Sequence, residues 1–185
     1  MKMNIGRAFS RRRLVLGLAS TVAFPAVRAF AGGKPPAKEH KEHAAKKFLG
    51  SIYQRYLGKS SVAAAGVSLT DPQSVHNYFT FGLASLILED RAAATKQGGP
   101  PALGTDPFVG RLEWDISDLS IDVKDSGGPK TVGTVTLVNF GKPERVVLEL
   151  LRSGTEWRIA DVEWDSGTLR GLYRRRAAYD HEAVR

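Results

Sequence analysis

Residues 130–164 read KTVGT VTLVN FGKPE RVVLE LLRSG TEWRI ADVEW, and they decide the fold class. Val, Thr, Leu and Ile recur in short runs, broken by Phe140-Gly141-Lys142-Pro143 and by Ser153-Gly154-Thr155. β-branched residues between tight turn signals predict strands, here over 131–140, 144–152 and 156–164. Connections this short join antiparallel neighbours. On the last strand the two-residue period puts Trp157, Ile159, Asp161 and Glu163 on one face. Arg158, Ala160, Val162 and Trp164 take the other. If the first set faces the core, Asp161 is turned inward, where a carboxylate needs a partner.

Upstream, Leu119, Ile121 and Val123 alternate with Ser120, Asp122 and Lys124, which predicts a fourth strand before the turn at 125–129. Helical spacing dominates before that. Ala45, Phe48, Leu49, Ile52, Tyr53, Tyr56 and Leu57 share one face of a helix expected over 38–57, stopped by Gly58. Its other face carries Lys38, Glu39, Lys41, Glu42, Lys46 and Lys47, a solvated face. His40 and His43 lie one turn apart but lack a third ligand, so no metal is expected. Thr70-Asp71-Pro72 starts a short helix over 72–77. Tyr78-Phe79-Thr80 breaks it, and a longer helix follows to about 96, with a Leu83, Leu86 and Ile87 stripe. His76 reads as a packing or half-exposed histidine. A last helix is expected over 169–178, anchored by Leu172 and Tyr173 and studded with Arg170, Arg174, Arg175 and Arg176.

At 185 residues and 42% apolar content, one globular domain is expected. The net charge of +8 suggests nucleic acid, but six basic residues and no acid fall in residues 1–31. The remainder holds 21 basic and 19 acidic residues, a balance of +2, so no nucleic-acid partner is expected. The absence of cysteine excludes disulfides, thiolate chemistry and a lipid-modified cysteine anchor. Ser10-Arg11-Arg12-Arg13-Leu14-Val15-Leu16 has the form of a twin-arginine export signal, and Ala29-Phe30-Ala31 that of a signal-peptidase site. The alternative is a general-secretion signal with an arginine-rich start. The organisation expected is a signal peptide over 1–31, a flexible leader over 32–37, one α+β domain over 38–178 and a tail over 179–185. The partners that follow are the twin-arginine export machinery and signal peptidase, and the destination is the periplasm.

Two stretches carry candidate binding residues. Asp106-Pro107-Phe108 and Glu113-Trp114-Asp115 lie on irregular chain leading into the sheet, where sites often lie. The plainer account makes Asp106 a turn cap and Trp114 a plug at one end of the core. Trp157 and Asp161 on the last strand complete the set: Asp106, Glu113, Trp114, Trp157 and Asp161. Glu-Trp-Asp recurs at 163–165, too short a match to make a repeat. No phosphate-cradling loop, zinc signature, nucleophile elbow or other cofactor motif occurs, so no cofactor is expected.

The element order resembles the cone-shaped α+β fold of the nuclear transport factor 2-like (SnoaL-like) superfamily, and more narrowly a group of exported bacterial domains of unknown function within it. The likeness rests on Phe48-Leu49-x-x-Ile52-Tyr53-x-x-Tyr56, Tyr78-Phe79 with Leu83, Asp106-Pro107-Phe108, Trp114-Asp115 and Trp157-Arg158-Ile159-x-Asp161-Val162, and spans 46–173. Glu113 departs from the glutamine or aspartate of the pattern. The resemblance implies helices packed on a curved, mainly antiparallel four-stranded sheet, and a homodimer through the outer sheet face. The superfamily holds isomerases, dehydratases, cyclases and plain binding domains, so fold supplies no function. The expectation is a non-catalytic periplasmic module binding a small ligand or an envelope protein. The alternative is a lyase or isomerase using Asp106 or Asp161 as a base in an apolar cone. A third possibility is envelope docking through the arginine-rich last helix.

Overall fold

The computed structural model describes residues 37–61 and 66–183. The expected signal peptide and residues 32–36 of the expected leader lie outside the described residues, and Ala37, the leader's last residue, already belongs to the first helix. Among the described residues four helices and six strands follow in the order α1 (Ala37–Tyr53), β1 (Gly58–Lys59), α2 (Pro72–Tyr78), α3 (Phe81–Gln97), β2 (Asp115–Asp125), β3 (Lys130–Asn139), β4 (Lys142–Ser153), β5 (Glu156–Trp164), β6 (Gly167–Thr168) and α4 (Leu169–Ala183). The strands form one antiparallel sheet in sequential order, open because β1 and β6 do not pair. The four expected strands are its long members, and two two-residue strands extend it at the edges.

Helix α1 stops four residues before its expected end. Its last turn tightens, with Arg55 and Tyr56 amides donating to the Ile52 and Tyr53 carbonyls, and the chain then joins the sheet. Leu57 bridges to Ile116, and Gly58-Lys59 pair with β2. Sheet pairing here outcompetes helical spacing. Helix α2 starts as expected: the Asp71 carboxylate accepts from the Gln73 and Ser74 amides. The break after it has a tertiary cause. Phe79 bridges to Ile159, and the Thr80 amide donates to the Ile159 carbonyl at 2.9 Å. Helix α4 continues to Ala183, past its expected end at 178, across residues with no glycine or proline to stop it.

The β3–β4 connection is tighter than expected. Phe140 and Gly141 form a two-residue turn with φ of 48° and 74°, the left-handed pair that suits a hairpin. Pro143 therefore lies inside β4, opposite Val138. Asn139 and Lys142 close the turn, so the nitrogen of Pro143 faces the far edge. Strand β5 does not reach that edge, since its pairing begins at Val147. The missing N–H removes no ladder bond.

Strand β5 departs from strict alternation. Its register with β4 shifts between Glu149 and Leu150, and Ala160 is the extra residue. Before the bulge Trp157 and Ile159 face the core; after it Val162 does, fully buried. Asp161 and Glu163 are thereby turned to the outer face, which corrects the expected inward Asp161.

The core lies between that sheet face and the helices. Leu49, Ile52 and Tyr53 of α1, Val75 of α2 and Leu83 and Ile87 of α3 pack on Val135, Leu137, Leu148, Leu150 and Ile159. Gly133 lets α1 approach, since a Cβ there would collide with Leu49 Cδ1. Two residues assigned to a solvated face are structural. Lys41 pairs with Asp125 and donates to the Gly128 and Lys130 carbonyls, while Glu42 accepts from the Asp125 amide. The Lys41 bond holds the Asp125 carboxyl below its ordinary pKa. Together they pin the β2–β3 turn to α1.

Candidate functional site

The chain from α3 to β2 forms the wall of two clefts. Asp90, on α3, receives the Ala102 and Leu103 amides at 2.8 and 3.2 Å and fixes where the loop leaves the helix. Asp106 fixes its middle. Its carboxylate accepts from the Phe108 amide at 2.8 Å and the Tyr56 hydroxyl at 2.9 Å, and its backbone closes on Gly110 and Arg111. Tyr53 donates to the Phe108 carbonyl, and Trp164 Nε1 donates to the Pro107 carbonyl at 3.0 Å. The loop is thus tied to α1 on one side and to β5 on the other.

Burial pushes the Asp106 carboxyl up to about 6, against the hydrogen bonds from Phe108 and Tyr56 and the nearby Arg91, which favour its charge. The same burial, with Asp106 beside them, raises the Tyr53 and Tyr56 hydroxyls well above their ordinary range. Tyr56 also accepts from the Val67 amide at 2.9 Å, and its ring lies 5.0 Å from that of Trp114.

The larger cleft, about 840 Å³, has apolar walls from Leu103, Val109, Val146, Trp164 and Leu172. Around them stand Arg111, Lys142, Glu144, Arg145, Asp165 and Arg175. Arg111 pairs with Glu144 at 2.6 Å, and Glu144 also accepts from Asn139. The smaller cleft, about 440 Å³, is lined by Val67, Leu69, Arg91, Asp106, Leu112 and Trp114 among others. Leu103, Gly104 and Thr105 line both, so this short segment divides them. The indole N–H of Trp114 is buried and finds no hydrogen-bond partner among the described residues.

The five candidate residues do not converge. Asp106 and Trp114 share the smaller cleft. Glu113 is exposed at the surface. Trp157 is buried in the core. Asp161, on the outer face, accepts from the Val162 amide and from the Arg170 amide at 3.0 Å, which caps the start of α4. Arg170 in turn donates to the Ala160 carbonyl at 2.6 Å, satisfying the bulge, so it serves the fold rather than an outward basic surface. His76 is exposed, its ring 6.1 Å from Phe81. No metal-ligating group of His, Asp and Glu occurs among the described residues.

No family model and no curated protein matches this chain. Among solved structures, a phospholipid-binding protein from Ralstonia solanacearum, in complex with a phospholipid, is similar at 12% identity and a TM-score of 0.35. The match spans 77% of this chain and 85% of that one. That score falls short of a shared fold, and nothing about binding passes from that protein to this one.

Most residues of the larger cleft escape a reading of the sequence. Arg111, Lys142 and Arg145 sit beside turn signals and read as surface charge. Arg175 reads as one of a basic helix. Each Glu-Trp-Asp, too short a match to be a repeat, nonetheless puts its tryptophan at a cleft, Trp114 at the smaller and Trp164 at the larger.

Proposed function

We propose that this chain is an exported periplasmic binding module that takes a small ligand into the 840 Å³ cleft. The observation that carries the proposal is the cleft itself: its size and apolar walls are those of ligand sites, and its walls come from four separate parts of the chain. Export and periplasmic residence rest on Ser10-Arg11-Arg12 and Ala29-Phe30-Ala31. Kinship with the nuclear transport factor 2-like superfamily, including its cone and its pairing through the outer sheet face, rests on the order of motifs. The half-buried Val132, Val138 and Val147 on that outer face suit such pairing, and light scattering of the mature protein tests it.

The test of the main proposal is native purification from the periplasm followed by mass spectrometry. A small molecule should travel with the wild type and be lost from Thr136→Trp, which adds an indole at the cleft from an exposed position. A ligand retained by that folded variant places the site elsewhere.

One observation favours the enzymatic alternative. Asp106 lines an apolar cleft and has its carboxyl raised to about 6, the range of a base poised near neutral pH. Both its oxygens are already bonded, one to Phe108 and one to Tyr56, so the binding role is preferred. Turnover of a bound ligand that disappears in Asp106→Asn would reverse that preference.

A further inference from the structure

The larger cleft carries a charge pattern that its apolar walls do not require. Four cationic side chains line it, Arg111, Lys142, Arg145 and Arg175, against two acids, Glu144 and Asp165. Arg111 and Glu144 neutralise each other at 2.6 Å. That leaves Lys142, Arg145 and Arg175 against Asp165 in the count of lining charges, and none of the three cations makes an ion pair among the described residues.

These cations come from distant parts of the chain. Lys142 and Arg145 stand on the β4 end of the hairpin, and Arg175 stands on α4. An Arg175 guanidinium nitrogen lies over Gly167, 3.9 Å from where a Cβ would sit. All three cations are exposed to solvent, where their mutual repulsion is screened, while the low-dielectric walls of a cleft focus their field inward. The same cleft is lined by Leu103, Val109, Val146, Trp164 and Leu172, which offer a charged head nothing and an apolar body a surface to cover.

We infer that the ligand of this cleft is an amphiphilic anion, with a carboxylate or phosphate head against Lys142, Arg145 and Arg175 and an apolar body on the Val146, Trp164 and Leu172 wall. This rests on the proposal that the cleft is the binding site, and the experiment separates the two. The mature chain is titrated calorimetrically with decanoate, decyl phosphate, decanol, inorganic phosphate and phosphatidylglycerol vesicles.

Decanoate and decyl phosphate should bind about tenfold or more tightly than decanol, since hydrogen bonds to a charged head are worth that much. Inorganic phosphate should bind far more weakly than decyl phosphate. The Arg145→Ser/Arg175→Ser double variant should lose about tenfold in decanoate affinity, and Thr136→Trp should lose binding altogether. Decanol binding as tightly as decanoate, or a double variant that binds decanoate unchanged while Thr136→Trp blocks it, overturns the anionic head and leaves the cleft as the site. Inorganic phosphate binding as well as decyl phosphate overturns the apolar body. Binding to vesicles with no free amphiphile bound overturns the inference in favour of a membrane surface. Decanoate binding that survives Thr136→Trp overturns the inference and the cleft together.

Discussion

At the scale of single residues, Asp106 has the largest consequence. A carboxyl whose folded pKa is raised holds its proton more tightly in the folded chain than in the unfolded one. Below pH 3.8 it is protonated in both states and costs nothing. Between 3.8 and about 6 the unfolded chain releases the proton first, so stability falls as pH rises, and the deficit persists above 6. Its upper limit is about 3 kcal/mol, from roughly 1.4 kcal/mol for each pH unit between the two values. Asp106→Asn should therefore be more stable than wild type at pH 7, with the difference vanishing near pH 4. Urea denaturation at pH 4, 5, 6 and 7 measures it, and parallel curves for the two proteins would refute it. Tyr56→Phe works in the opposite direction. It strips a donor from Asp106 and an acceptor from the Val67 amide, and should cost about 1–3 kcal/mol in the same assay.

At the scale of elements, the bulge at Ala160 organises three of them. The Ile159 carbonyl takes the Thr80 amide from the α2–α3 junction, Ala160 takes Arg170, and Asp161 caps α4. Asp161→Ala should cost about 0.5–2 kcal/mol, the worth of a helix cap, and Asp161→Asn less. Equal melting temperatures for wild type and Asp161→Ala would remove the cap from the account. The α1–β3 contact is tested by a cycle. Gly133→Ala should cost about 1–3 kcal/mol by overpacking against Leu49, and Leu49→Ala about 2–5 kcal/mol by leaving a void. In the double variant the new methyl partly fills that void, so the costs should fall short of their sum; strict additivity would mean the two do not meet.

At the scale of the whole molecule, the two clefts exist because the 98–114 chain is tied near its start and in its middle. Asp90, Tyr56 and Trp164 come from α3, the turn after α1 and β5, segments far apart in sequence. The proposed export belongs to this scale as well. If the twin-arginine route is used, Arg11→Lys/Arg12→Lys should hold the full-length chain in the cytoplasm, and the wild-type mature protein should begin at Gly32 by intact mass. Undiminished periplasmic yield from the double variant would favour the general-secretion route.

The sequence by itself determined the kind of structure. Alternation over 130–164 and helical spacing over 45–53 are local signals, set by which side chains water expels, and they survive into β3, β4, β5 and α1. Asp71 capping α2 is equally local. Tertiary structure decided the rest. A single extra residue at Ala160 turned Asp161 outward, because a register shift exchanges the two faces of a strand, and only pairing with β4 creates the shift. The larger cleft gathers Arg111, Arg145, Trp164 and Arg175 from a loop, two strands and a helix. Their spacing along the chain carries no period, so their meeting is a property of packing alone.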